Sequence, residues 1–187
     1  MKENNSENKV LLVFIRYFGV LLIAITFSYS NFVYHSLLYL TIYPLKLILG
    51  FFYPLELIGN MLFISPYTLE IIPACVAVSA YMLLLILNLT TPMSPKKRLY
   101  SILFSVIALL CFNILRIALF SVLMINNYAY YDLLHKLFWY FFSILLVVCI
   151  WFFSAFIFKI KAIPVYSDFS LIWKLLRHKK NYKPKSS

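Results

Sequence analysis

An all-α, polytopic membrane bundle of about five transmembrane helices is the fold class this sequence predicts, and three observations predict it. The chain is 64% hydrophobic and only 12% charged, where a soluble domain is roughly half apolar and about a quarter charged. Its mean hydropathy is +0.89. The apolar stretches are long and continuous, close to the roughly 20 residues that a helical crossing needs. The alternating segments of about 10 residues that mark a membrane barrel are missing. Within 187 residues such spans leave little room for anything else. The expected organisation is a transmembrane bundle over 1–158 and a basic tail over 159–187.

Residues 1–9 are polar, with Lys2 and Lys9 balanced by Glu3 and Glu7. A first span is expected over 10–28, with Arg16 inside it; it is long for a signal-peptide core and no A-x-A site comes after it, so it reads as retained. The stretch 33–58 is interrupted by Pro44, Lys46, Pro54 and Glu56. It reads as a kinked span or as two re-entrant half-helices. Residues 59–72 alternate apolar and polar positions around Gly59-Asn60 and Ser65-Pro66-Tyr67, which predicts a short surface hairpin.

A third span begins at Pro73 and ends near Asn88. The proline-punctuated basic loop Thr90-Thr91-Pro92-Met93-Ser94-Pro95-Lys96-Lys97-Arg98 leads into a fourth span over 99–125. A tyrosine-rich connection over 126–132 precedes the fifth, over 133–158. In the tail, Ser167-Asp168 can cap a short helix with Phe169, Ile172, Trp173 and Leu176 on one face, an amphipathic segment suited to the membrane surface.

The net charge is +11. In a membrane protein such charge marks cytoplasmic loops and contact with anionic lipid; no nucleic-acid partner is expected, since no soluble portion is large enough to present a groove. Lys96 to Arg98 and the tail from Lys159 onward are both assigned to the cytoplasm. The start of span three, the end of span four and the start of span five then share the exterior face. The side of the N-terminus stays open, because it depends on whether 33–58 crosses or re-enters.

Three reactive groups fall at that face. Pro73 suits the first turn of a helix, which puts Cys75 near free N–H groups and the positive end of the dipole, a setting that favours a thiolate. Taken alone, Cys75 also reads as a small apolar residue. Arg116 lies roughly 10–14 Å below the outer end of its span, too deep for an unpaired charge facing lipid. Asn113 is three residues earlier on the same face, placed to orient Arg116; the pair also reads as a hydrogen-bonded link between helices. His135 opens span five after Asp132, which is expected to cap the helix and to reach the imidazole; ordinary hydration at the membrane edge is the plainer reading.

Cys111 points to another face of span four, and Cys149 lies about 21 Å deeper than His135, so both are expected to pack. No Cys/His set has zinc spacing, no HExxH or GxSxG motif occurs, and neither metal nor other cofactor is expected. Asn88-Leu89-Thr90 fits a glycosylation pattern but falls on the cytoplasmic side. A rival reading is a small transporter or channel subunit using Arg16, Lys46, Glu56 and Arg116.

Pro73-Ala74-Cys75 opening one span, Asn113-Ile114-Leu115-Arg116-Ile117 in the next and His135 opening another resembles the exosortase/archaeosortase family, over about 55–150. The lysine-, isoleucine-, asparagine- and tyrosine-rich composition suits the archaeosortase branch better. Family members commonly carry Ser or Thr and then Gly after the cysteine, where this chain has Val76-Ala77, and often a glycine after the histidine, where Trp139 stands. The resemblance implies a membrane cysteine transpeptidase or protease with Cys75, Arg116 and His135 as catalytic residues and Asn113 and Asp132 in support. It implies protein substrates ending in a short motif, a hydrophobic helix and a basic cluster, cleaved through a thioester and passed to a lipid or other acceptor. The implied location is the plasma membrane, with the site near the extracellular face and the C-terminus in the cytoplasm.

Overall fold

Unbroken apolar sequence folds into helices because, in lipid, each backbone N–H must find its acceptor within the same segment. The computed structural model describes residues 2–160. Four of its helical segments are long and apolar enough to cross a membrane: Asn31–Gly50, Pro73–Thr90, Pro95–Ile125 and Tyr131–Ile157. A fifth apolar stretch, Tyr17–Phe27, lies within the first helix. The chain is an all-α polytopic membrane bundle, as its composition predicts. The amphipathic helix expected around Phe169 to Leu176 lies outside the described residues.

The first helix, α1 (Lys2–Tyr29), is followed by α2 (Asn31–Gly50) with Ser30 alone between them. Ser30 takes an extended conformation, and its side chain accepts the Val33 N–H at 3.3 Å. This cap ends one helix and starts the next. Among the described residues α1 and α2 do not pair as a helical hairpin would: α1 packs on α4 (Val78–Thr90), whereas α2 packs on α5 (Pro95–Ile125) and on α3 (Pro73–Val76). The interrupted stretch over 33–58 is therefore one helix with Pro44 inside it, not two half-helices, and its last eight residues leave the helix altogether.

The expected hairpin is a larger object, a three-stranded antiparallel meander of β1 (Glu56–Ile58), β2 (Met61–Ile64) and β3 (Tyr67–Glu70) in that order. Leu57, Leu62 and Leu69 stand opposite one another, as do Ile64 and Tyr67. That face turns inward, with Leu62 and Ile64 buried, while Glu56, Phe63, Thr68 and Glu70 are exposed on the other. Period-two alternation makes this sheet a lid with one packed face. Glu56 starts β1, so the sheet begins before the turn signals do.

Two apolar clusters stack along the bundle. One joins Leu38, Ile42, Leu45 and Leu49 of α2 to Leu62, Ile64, Ile71, Val76, Ile117 and Ala118. The other joins Tyr81, Leu84 and Leu109 to Val147, Ile150 and Trp151 of α7 (Ser143–Ile157). The first cluster lies under the sheet, and the second lies towards the basic loop. α6 (Tyr131–Leu137) and a five-residue π-helical turn, Phe138–Phe142, lead into α7. The sheet, the Pro73–Val76 turn and the α5–α6 connection thus share one end of the bundle, pinned by a 2.9 Å hydrogen bond from the Tyr67 hydroxyl to Asn127 Oδ1.

At the opposite half, Asn88, Ser101, Ser105 and Ser154 are all buried. Asn88 Nδ2 donates to the Leu84 carbonyl at 2.8 Å and to Ser105 Oγ at 3.5 Å. The Ser101 hydroxyl reaches Asn88 Oδ1 and lies 2.7 Å from the Ser154 hydroxyl. Small polar residues let α4, α5 and α7 approach closely and satisfy one another away from water. Burial in this network also removes Asn88 from consideration as a glycosylation site.

Candidate functional site

Cys75 sits in a shorter element than its sequence suggests. Pro73 does occupy the first helical position, with Ile72 extended before it, and the Cys75 N–H donates to the Ile72 carbonyl at 2.8 Å. The helix stops after four residues, however, because Ala77 adopts the left-handed conformation (φ 59, ψ 36) and α4 restarts at Val78. One turn carries only a few aligned peptide dipoles, so the full macrodipole expected of a continuous span is not available to the thiol. What the break supplies is a corner that holds the half-buried Cys75 side chain against the apolar cluster beneath the sheet.

α5 presents one row to that corner: Asn113, Arg116 and Phe120, at i, i+3 and i+7. Buried Asn113 donates from Nδ2 to the Cys75 backbone carbonyl at 2.8 Å. This corrects the expected role of Asn113: it fixes the cysteine turn and does not orient Arg116. Arg116 donates instead to Ser143 Oγ at 3.1 Å, and the Ser143 hydroxyl in turn donates to the Phe138 carbonyl at 2.8 Å. Arg116 lies one helical turn beyond Asn113 on the α5 face that meets the Cys75 turn. The α3–α5 contact therefore joins the Cys75 turn to the Asn113 and Arg116 face of α5.

His135 stands one turn further along. Its ring contacts Phe120 at 5.3 Å, Tyr131 at 5.6 Å and Trp139 at 6.0 Å between centroids. Among the described residues it makes no hydrogen bond to Cys75, Arg116 or Asp132. Asp132 is in the first turn of α6 and does not cap it; Tyr130 holds the N-cap position without a side-chain bond. The expected Asp132–His135 pairing is absent among the described residues, and aromatic packing positions the imidazole in its place.

Three neighbours were not singled out from sequence. Ser143 anchors Arg116, Phe120 carries the histidine, and Tyr131 packs edge-on to Phe120 and against the His135 ring. A signal for two of them exists: Tyr131, His135, Trp139 and Ser143 recur every fourth residue, a row on one helix face. The π-helical turn between them inserts extra backbone and rotates the start of α7 relative to α6, a device frequent at functional sites. It lets His135 on α6 and Ser143 on α7 both address α5.

Beside the site runs a groove of about 320 Å³ lined mainly by Phe112, Leu115, Leu119, Phe138 and Phe142, with Arg116 and Ser143 in its wall. Cys149 also lines it, and both Cys149 and Cys111 are exposed on the apolar surface, so neither is the packed core residue that the sequence suggests. Glu56 is exposed in the sheet, and Lys46 lies on α2 beside a separate surface hollow, both away from the interior where Arg116 lies. The side chain of Arg16 lies outside the described residues. Among the described residues no group of three His, Cys, Asp or Glu side chains could hold a metal ion.

No family model, no curated protein and no solved structure matches this chain.

Proposed function

We propose that this membrane protein is a cysteine transpeptidase or protease of the exosortase/archaeosortase kind, which cleaves a C-terminal sorting signal and transfers the product to an acceptor. The observation that carries the reading is the α3–α5 contact. Asn113 binds the Cys75 carbonyl at 2.8 Å, and Arg116, one helical turn along the same face of α5, is held by Ser143 at 3.1 Å. A cation held deep in an apolar bundle beside a nucleophile is an expensive arrangement, and stabilising an oxyanion is a use for it.

The chemistry derives from the groups present. The Cys75 thiolate attacks the scissile carbonyl carbon and forms a C–S bond. Arg116 stabilises the negative oxygen of the tetrahedral intermediate, more strongly in a low-dielectric setting. Collapse breaks the C–N bond, and protonated His135 supplies the proton to the departing amine. The acceptor, a lipid-linked nucleophile, an amine or water, attacks the thioester and gives its proton to His135 as the C–S bond breaks, which regenerates the Cys75 thiolate beside protonated His135. His135 packs on Phe120, which lies one helical turn beyond Arg116 on α5, and catalytic hydrogen bonds tighten once substrate is engaged. The apolar groove beside Arg116 suits the hydrophobic helix of such a substrate.

The positive-inside rule assigns Lys96, Lys97, Arg98 and Lys159 to the cytoplasm, which puts the Cys75 end at the outer face of the plasma membrane and the C-terminus inside. Cys75→Ala is expected to abolish processing of a membrane reporter ending in motif, hydrophobic helix and basic cluster, with normal insertion. Immunoblotting for the uncleaved reporter reads this out. Cleavage at the native rate in that variant defeats the proposal.

A further inference from the structure

We propose that the free edge of β3 takes up an extended segment of the substrate polypeptide as a fourth strand and delivers its carbonyl to Cys75. The inference rests on the transpeptidase reading and adds how that site receives its substrate.

β3 pairs only with β2, and β2 lies between it and β1. The Ile71 N–H donates to the Asn60 carbonyl at 2.9 Å. In an antiparallel ladder, directly opposite residues alternate between hydrogen-bonded and non-bonded pairs. With Asn60–Ile71 bonded, Leu62–Leu69 and Ile64–Tyr67 are bonded too, and Met61–Glu70 and Phe63–Thr68 are not. Thr68 and Glu70 therefore direct their N–H and C=O groups away from β2. Both residues are exposed, and among the described residues no other strand joins this edge. Unpaired donors and acceptors at two-residue intervals match one kind of partner, another extended backbone. A lipid headgroup or a helix does not present that pattern.

The strand also leads straight to the nucleophile. Ile72 is still extended, with φ −82 and ψ 163, and Pro73-Ala74-Cys75 come immediately after it. The inward face of β3 is anchored, with Leu69 packed against the apolar cluster and Tyr67 bonded to Asn127. Edge and thiol thus form one rigid piece. A peptide running parallel to β3 presents its C-terminal end towards Cys75, and at about 3.3 Å per residue roughly six residues cover the distance from Thr68. The edge of β1 is also unpaired, but that strand leads back to α2 and no reactive group adjoins it.

The test uses the full-length protein in lipid nanodiscs and two alkylating probes. One is acetyl-alanyl chloromethyl ketone; the other is a pool of acetylated hexapeptidyl chloromethyl ketones ending in alanine. Each forms an S–C bond as the thiolate displaces chloride, and mass spectrometry locates the adduct on Cys75. Backbone pairing predicts that the hexapeptides react about tenfold faster, the gain expected of a few modest hydrogen bonds. N-methylating the peptide amides at odd or at even positions should remove the gain in one set only. Thr68→Pro deletes an outward N–H without touching the ladder, and should bring the ratio of the two rates towards one. A ratio near one in the native protein, or a gain that survives both methylation patterns, overturns edge docking while leaving the transpeptidase reading intact. If neither probe alkylates Cys75, that reading falls and takes this inference with it.

Discussion

The two halves of the bundle use similar polar residues in opposite ways. Towards the basic loop, Asn88 and three serines close on themselves, each bonded to another member of the network. Beneath the sheet, Asn113 reaches across to the Cys75 carbonyl and Ser143 holds Arg116, yet Cys75, Arg116 and His135 all remain partly accessible. A closed network fastens helices; an open one, on the proposed reading, holds reactive groups ready. The lesson is that buried Asn and Ser in a membrane helix say little until it is known where their hydrogen bonds end.

This contrast breaks if stability and activity respond alike in both halves. The largest expected effect is on the open side: Arg116→Met, with similar volume and no charge, should lower processing by about 10²–10³-fold, the usual loss on removing an oxyanion donor. Its unfolding midpoint should hold or rise, since a buried charge disappears. Reporter cleavage and denaturant titration in the same micelles measure the two. Next comes the closed side, where Asn88→Leu removes the partner of Ser105 and one of the two partners of Ser101 and should destabilise by about 1–3 kcal/mol, with processing by the surviving folded protein near native. An Asn88 variant that unfolds no earlier than native would show that the network is ornamental.

A smaller effect sharpens the description of the cysteine corner. Ala77 holds φ 59, a conformation that costs an L-residue roughly 1–2 kcal/mol and a glycine little. Ala77→Gly should therefore stabilise the protein by about 1 kcal/mol, read from the shift in unfolding midpoint. A loss of stability would mean that the methyl group contributes packing worth more than the strain.

Much of the architecture was legible beforehand. Helix-length apolar runs and Pro73 at a helix start are local signals, and they fall where expected; α5 instead begins at Pro95, inside the stretch read as a loop. The meander was only partly legible: Gly59-Asn60 and Ser65-Pro66 mark its turns, but Glu56 to Ile58 is too short a segment to announce itself as a strand. Asn113 and Arg116 were correctly read as pointing one way, because helical spacing settles that. Their partners were not readable, since Cys75 is 38 residues from Asn113 and Ser143 is 27 from Arg116.

By itself the sequence determined that the chain lives in a membrane, where its helices run and which polar residues are anomalous there. Those properties arise from hydropathy and local geometry, which involve neighbours a few positions apart. Only the tertiary structure decided that the helix breaks at Ala77, that Asn113 serves Cys75 and not Arg116, and that aromatic rings hold His135 where Asp132 was expected to. Such choices depend on which helices pack together. In lipid that is governed by shape and a handful of interhelical hydrogen bonds, information spread over distant parts of the chain.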